Sequence, residues 1–589
     1  MLLIAQLALV SGEANDKYVC DFSSPLALQD STGIGGEQVF RVSGISAPMR
    51  FCLNCDMSNS IAESADGSER RVLIEANLSK VTGRIRSLQG VNAGPLAQPQ
   101  YIQRLPSLHE QYQQIGVDYV RTHDIWGAFD VNVVFPDMKA DPFAETSYNF
   151  SSTDLQVKAI KSINAQVLYR LGYSWGGPND VPSDQSKFAD VCKHIVMHYN
   201  KGWANGFSYE IQYWEIWNEP DIQVFWKGIP EQYFKLYDTI ARALRTVDAK
   251  LKVGGPGLAG SRAFLEGFLQ FCKTNKTPLD FISWHSYPRN KPPYVIVETA
   301  HQMEDLLRRY GFENVENFLT EWNFSAGSPY PDELWNARGA AWTACALIYL
   351  QDAPISRAFR YRGSSDHPYY SLFHYNGTFK KPAYAFLAMK KMLETPVRLA
   401  CQGSNNAGFA VLSGISNSSN TARVLISNFD ADYDEFRLVL NGLPWREKIL
   451  GCEIYLIDDK NDIALIEKFE SPQSEPFAMT HKIKASSVYL ISIEAREPVT
   501  EKTTARITAT TSEERAVARG PPWEAISLGL VVPIVMLIVL LTKRRRSTSI
   551  PLSNKQQKNL TNHSTARRRA RSETSVDSAT AIGYAATQT

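Results

Sequence analysis

Two acidic side chains, Glu215 and Glu219, stand four residues apart in the run "YWEIWNEPD", Tyr213 to Asp221, and a third, Glu321, lies near the end of "VENFLTEW". Two opposed carboxyl groups are enough to cleave a glycosidic bond. One, protonated, helps the leaving oxygen depart, and the other, ionised, serves as nucleophile or base. Strand alternation puts Tyr213, Glu215 and Trp217 on one side, so Glu215 lies inside the strand, where it can pair with a base such as Arg121. Glu219 follows the strand in a turn fixed by Pro220, beside Asn218, whose amide can bond a hydroxyl. With 102 residues between Glu219 and Glu321, spacing alone leaves two readings open: a facing pair, or two unrelated loop acids.

Opposing the two acids requires a scaffold that brings distant strand ends to one place. From about residue 81 to 395, strand-like runs ("VDYVRTH", "AQVLYRLG", "IQYWEIW", "LKVGG", "LDFISWHSY", "VENFLTEW") alternate with amphipathic helical stretches. A first strand near "RIRSLQG" and a last near "ISRAFRY" complete eight units, which predicts a (β/α)8 TIM barrel of parallel strands. Function in such a barrel sits at the C-terminal strand ends. Polar and aromatic residues collect at those ends: Arg121, His123 and Asp124; Tyr173 and Trp175; Asn218 and Glu219; Trp284, His285 and Tyr287; Glu321, Trp322 and Asn323.

Residues 396–494 return to short strands and predict an accessory β-sandwich, with the β-rich segment 19–80 packing against it. Residues 495–524 lack large apolar side chains and read as a linker. The uncharged run 525–542, followed by Lys543, Arg544, Arg545 and Arg546, predicts a single transmembrane helix with a basic cytoplasmic tail over 543–589. An apolar start over 1–14 reads as a signal peptide. Together these expectations place the barrel outside the cell or in a secretory or lysosome-like lumen. On that side lie N-x-S/T sequons at Asn77, Asn149, Asn275, Asn323, Asn376 and Asn417.

The charges nearly cancel, 62 Lys and Arg against 61 Asp and Glu, which argues against a nucleic-acid partner. Eight cysteines are too few for a disulfide-built fold and leave room for one or two bridges. Cys52 and Cys55 have no second pair at comparable spacing, so no metal site is expected.

The ordered set "VRTH", "WEIWNEPD", "KVGGPG", "DFISWHSY" and "LTEWN" resembles the retaining glycoside hydrolases of family 39, the β-xylosidases and α-L-iduronidases. The resemblance covers roughly residues 81 to 391, and "FWKGIPEQYFKLYDTIARALRTVDAKLKVGGP" is closest to the xylosidase branch. It implies Glu219 as acid/base, Glu321 as nucleophile, a glycoside or oligosaccharide substrate and no cofactor. On that frame Arg121 and His285 would hold Glu321 ionised, and Trp217, Tyr173 and Trp175 would keep Glu219 protonated by excluding water. Asn218, His123 and His285 would bind sugar hydroxyls, and Tyr173, Trp175, Trp226, Trp284 and Tyr287 are candidate stacking faces. Arg289 and Lys291 could reach an acidic sugar. The favoured reading is a β-xylosidase-like enzyme on neutral glycans; the alternatives are an iduronidase-like or other glycosidase and a non-catalytic carbohydrate-binding protein.

Overall fold

The computed structural model describes residues 70–97, 106–125, 127–445, 448–472 and 474–497, and the backbone of Val39–Phe40 and Met49–Arg50. The chain divides into two units, Met1–Glu69 and Arg70–Thr589. In the first, those two short strands pair antiparallel. The expected signal segment, linker, apolar run 525–542 and basic tail lie outside the described residues. Among the described residues no helix is long and apolar enough to cross a membrane.

Eight parallel strands close into a barrel in chain order: Gly90–Asn92, Tyr119–Arg121, Gln166–Leu171, Tyr213–Ile216, Lys252–Leu258, Phe281–Ser286, Glu316–Trp322 and Arg357–Arg360. Closure is made by Phe359 against Gly90 and Arg360 against Val91. The first strand begins at Gly90, where the "RIRSLQG" run ends, so that prediction was displaced by several residues. Ile85 and Leu88 in that run are buried as part of the connection, and their apolar spacing imitated a strand.

The helices that jacket the barrel follow from stripe and cap. Pro230–Val247 buries Tyr233, Leu236, Tyr237, Ile240, Ala241 and Leu244 along one face, the three-and-four spacing of an amphipathic helix. Truncating one such aliphatic, Ile240→Ala, costs about 2–5 kcal/mol. Gln185–Lys201 starts where the Asp184 side chain accepts from the Lys187 N–H and stops at Gly202, whose φ of 74° is the left-handed cap.

The inside of the barrel changes character over one strand repeat. Leu168, Tyr213, Phe281, Phe318 and Phe359 pack together with Tyr119 against them, an aromatic plug in which the Phe281 and Phe318 rings stack at 4.6 Å. Two residues further along the same strands, on the same inward face, stand Arg121, Arg170, Glu215, Ser283 and Thr320, all buried. The plug seals one end, and the polar layer floors the other.

The expected β-sandwich is a single nine-stranded sheet. Its order runs Asp462–Pro472, Ile449–Ile457, Ser487–Arg496, Thr421–Asn428, Phe409–Ile415, Val397–Gln402, Arg71–Arg84, Glu435–Asn441 and Phe477–Lys482. The sheet curls until its two halves face each other, so that Phe436 meets Tyr489 at 5.8 Å from five strands away. Phe409, Val411, Val424 and Ile491 fill this inner core. Ala410, Leu412, Leu425 and Leu490 point the other way into the barrel's core, which is why "FAVLSGI" is buried at every position. The strand Arg71–Arg84 is central to this sheet: it pairs antiparallel with Val397–Gln402 and parallel with Glu435–Asn441. Cys192, Cys272, Cys345, Cys401 and Cys452 are all free thiols.

Candidate active site

Glu219 is delivered by an unusual turn. Trp217, at φ 76°, and Glu219, at φ 47°, both occupy the left-handed region, which costs an ordinary side chain about 1–3 kcal/mol each. The surroundings over-determine the turn. The Trp217 N–H donates to the Leu171 carbonyl at 2.6 Å and the Glu219 N–H to the Gly257 carbonyl at 2.9 Å. The Trp217 indole donates to the Phe225 carbonyl at 3.0 Å and is packed edge-on by Tyr173 and Trp226. Asp221 accepts from the backbone N–H groups of Ala259, Gly260 and Ser261 at 2.9, 3.0 and 2.9 Å, tying this loop to the one after the fifth strand. Gly257 suits this place through its backbone: its φ of 65° lies in the left-handed region, which glycine adopts without strain.

Glu321 ends the seventh strand and faces Glu219 across the barrel mouth. Arg121, fully buried, organises the floor beneath both. Its Nε donates to Glu215 Oε2 at 2.5 Å, Nη1 to Glu321 Oε1 at 2.7 Å and to Asn92 Oδ1 at 3.0 Å, and Nη2 to Asn218 Oδ1 at 2.7 Å. The Tyr287 hydroxyl donates to the other oxygen, Glu321 Oε2, at 2.5 Å. His285 Nδ1 lies 2.7 Å from Glu219 Oε1 and 3.6 Å from Glu321 Oε2. His123 Nε2 lies 3.5 Å from Glu321 Oε1. Donor atoms of Glu219, His285 and Glu321 all fall within 4.8 Å of one another.

Burial raises both acids, and they differ in the charges that answer it. Burial, reinforced by the nearby Asp221 charge, drives Glu219 from 4.5 up to about 8, so it is largely protonated at neutral pH. Burial also raises Glu321, but His285, Arg121 and the Tyr287 hydroxyl act against it. Burial holds His285 down to about 4; the permanent counter-charge of Glu321 at neutral pH is therefore Arg121. A neutral donor facing an ion-paired carboxylate is the division of labour that acid and nucleophile require.

Arg121, His123, Asn218, Glu219, His285, Tyr287 and Glu321 converge as one group. Among the described residues the buried Asn218 Nδ2, His123 Nδ1 and His285 Nε2 have no hydrogen-bond partner. Three aromatic candidates are placed differently. Trp284 is 1% exposed on the outer face of its strand, and its indole donates to Asn317 Oδ1 at 2.7 Å; in "DFISWHSY" it is His285 that faces inward. Tyr173 is buried as a wedge between Trp217 and Phe188. Trp175, 63% exposed, stands on the rim against Phe225. Asn323, read as a sequon, is completely buried and donates to the Tyr361 carbonyl, so its amide serves the fold. Arg289 donates to Ser325 Oγ at 2.8 Å and to the carbonyls of Gly327 and Pro329, bracing the loop after the seventh strand.

The eighth strand contributes what sequence reasoning passed over. The Tyr361 hydroxyl donates to Asp124 Oδ2 at 2.5 Å, and Arg362 pairs with the same oxygen at 2.8 Å and with Asp366. Asp124 sits 3.6 Å from His123 Nε2, so this network forms the wall beside the pair. Tyr361 and Arg362 directly follow "ISRAFR", and the strand-end rule that selected the other candidates points to them as well. Asn92 escaped because the first strand was placed too early.

Glu219, His285 and Glu321 could together grip a divalent cation, but Arg121 already occupies one Glu321 oxygen and Tyr287 the other.

The profile of the glycosyl hydrolases family 39 matches residues 71–419 of this chain. The chain is 29% identical over 279 residues to a beta-xylosidase of Geobacillus stearothermophilus, covering 41% of this chain and 54% of that protein. It is 27% identical over 278 residues to a beta-xylosidase of Caldicellulosiruptor saccharolyticus, covering 41% and 53%. It thus spans about half the length of these curated relatives. Among solved structures, a glucosidase from Croceicoccus marinus superposes with a TM-score of 0.66 at 27% identity over 72% of this chain and 99% of that one.

Proposed function

Because the chain belongs to the glycosyl hydrolases family 39, we propose that it is a retaining O-glycoside hydrolase of xylosidase type, acting on neutral glycosides by double displacement. The observation that carries the reading is the carboxyl pair at the ends of the fourth and seventh strands, with donor oxygens within 4.8 Å. Retaining pairs stand about 5–5.5 Å apart, whereas inverting pairs need roughly 6.5–9.5 Å to admit water.

Glu321, held ionised by Arg121, attacks the anomeric carbon as Glu219 passes its proton to the departing glycosidic oxygen. The bond to the aglycone breaks and a glycosyl ester with Glu321 forms. Esterification removes the Glu321 charge, and Glu219, now ionised, takes a proton from water. That water attacks the same carbon, releasing the sugar with its configuration retained and returning Glu321 as a carboxylate. Asn218 Nδ2 and His123 Nδ1 are free to bind ring hydroxyls.

Neutral substrates are supported by the state of the nearby cations. Arg121, Arg362 and Arg289 are each committed to carboxylates, hydroxyls or carbonyls. A uronate would have to displace one of those partners. The same proposal keeps the chain membrane-anchored by residues 525–542 with the barrel on the outer side, supported by the apolar run and the basic cluster after it; recovery in the soluble fraction would refute this part.

The test is a panel of nitrophenyl glycosides with the purified protein. Nitrophenol release from the β-xyloside, lost in Glu321→Ala, with β-xylose as the first product by NMR, is the expected result. Turnover of an α-L-iduronide in place of the xyloside would redirect the proposal to uronides. Saccharide binding without turnover of any glycoside would refute catalysis.

A further inference from the structure

On the outer face of the barrel, behind the nucleophile, stand buried hydrogen-bond donors on neighbouring elements that the cleavage chemistry does not use. Trp322 and Arg360 are register partners on the seventh and eighth strands. The seventh strand has a register irregularity between Leu319 and Glu321, past which Glu321 is level with His285, and Phe359 belongs to the inner aromatic plug; Trp322 and Arg360, the next residues along, project from the outer face, about 5 Å apart. Trp322 is 0% and Arg360 1% exposed. Among the described residues the indole Nε1 of Trp322 and the Nε and Nη1 of Arg360 have no acceptor. Of the guanidinium, only Nη2 finds one, Asn323 Oδ1 at 3.1 Å.

A second buried cation stands nearby. Lys380, 3% exposed, feels the positive charge of Arg360. Its ammonium donates to the carbonyls of Pro368 and Tyr369 at 2.7 and 3.3 Å, which are neutral partners. Among the described residues no carboxylate offsets either cation. Burial accordingly pulls Lys380 down to about 7 and Arg360 down to about 9. Elsewhere in this barrel a buried guanidinium is matched by an acid: Arg121 by Glu215 and Glu321, Arg170 by Asp130, Arg362 by Asp124 and Asp366. Arg360 departs from that pattern.

An uncompensated buried cation is strongly unfavourable, and orphaned buried donors add to the cost. Neighbouring buried donors that are left partly unpaired, with no carboxylate beside them, are complementary to a negative charge. We propose that Trp322, Arg360 and Lys380 form a buried site for a small monovalent anion, of which chloride is the type. The wall around Trp322 is aromatic, with Phe386 and Trp342 against its ring. That wall suits a weakly hydrated, monatomic anion better than an oxyanion, which needs donors on several sides. The anion would neutralise Arg360 and fasten the end of the strand that carries Glu321.

The experiment uses the full chain exchanged into gluconate buffer, with halide added at constant ionic strength. The expected result is a thermal midpoint that rises and saturates with chloride and with bromide, but not with further gluconate. In Trp322→Phe, which keeps the ring and removes one donor, the half-saturating halide concentration should rise about tenfold. Crystals grown in bromide should show an anomalous peak within hydrogen-bonding distance of Trp322 Nε1 and Arg360. A midpoint indifferent to halide at matched ionic strength, or a peak assigned to water at that position, would overturn the proposal. Neither readout depends on glycosidase activity.

Discussion

The protonated state of Glu219 has a cost that can be measured without any substrate. Glu219→Gln keeps the shape and hydrogen-bonding capacity of the side chain and deletes its ionisation. In the wild type, burial raises this group from 4.5 to about 8, so between those values the folded state retains a proton that the unfolded chain has released. The folded side chain's contribution to stability is therefore complete below pH 4.5 and is lost as pH rises towards 8. At about 1.36 kcal/mol per pH unit, the whole window is worth up to about 5 kcal/mol. The side chain is 14% exposed, and solvent access at the barrel mouth brings the expectation to about 2–5 kcal/mol. Unfolding entropy near 2 cal/mol/K per residue converts this to about 1 °C per kcal/mol for a folded unit of this size. Thermal midpoints of both proteins, scanned at one rate from pH 4 to pH 9, should coincide at the acid end. They should diverge above pH 5, with Glu219→Gln ahead by about 2–5 °C near pH 8.5. Parallel curves over the whole range would refute the burial argument and with it the physical basis for Glu219 as the acid.

Three further outcomes follow from the same geometry. Arg121→Met removes the counter-charge of Glu321 and strands Glu215; kcat on an activated aryl glycoside should fall about 10²–10³-fold, with a lower thermal midpoint. Tyr287→Phe deletes a hydrogen bond that favours ionised Glu321, so the acid limb of the kcat/KM profile should move to higher pH while the basic limb, set by Glu219, stays near 8. Trp284→Phe should lower stability by about 1–3 kcal/mol, because Asn317 Oδ1 loses its buried donor, and leave KM for glycosides unchanged, a result that a stacking role for Trp284 would contradict.

Legibility from the sequence followed how local the signal was. Strand-end polarity identified seven residues that the fold brings to one mouth, because a parallel barrel gathers all its C-terminal strand ends whatever their separation in the chain. Inward or outward direction within a strand was readable only once its register was known. "DFISWHSY" offers both Trp284 and His285, and a one-residue difference in phase exchanges cleft for core. The eighth strand's Tyr361 and Arg362 were accessible to the same rule and were passed over. The left-handed backbone at Trp217 and Glu219 left no compositional trace, since a glycine would have announced it and neither is one. The curled sheet looked like a sandwich because facing sheets and one sheet folded back on itself bury the same alternating apolar positions.

The strand Arg71–Arg84 is synthesised before the barrel, yet its neighbours lie far beyond it, as the bond from Thr82 to the Arg398 carbonyl, 316 positions away, makes plain. At about 5–20 residues per second, that strand waits some 15–60 s on the ribosome with both edges unpaired. The barrel is thus threaded between two parts of one sheet. Deleting residues 397–496 as a dispensable module would leave an orphan strand with a buried, apolar face exposed to any other nascent chain, and cleanly separable catalytic and accessory fragments should not be obtainable by cutting at the barrel's end.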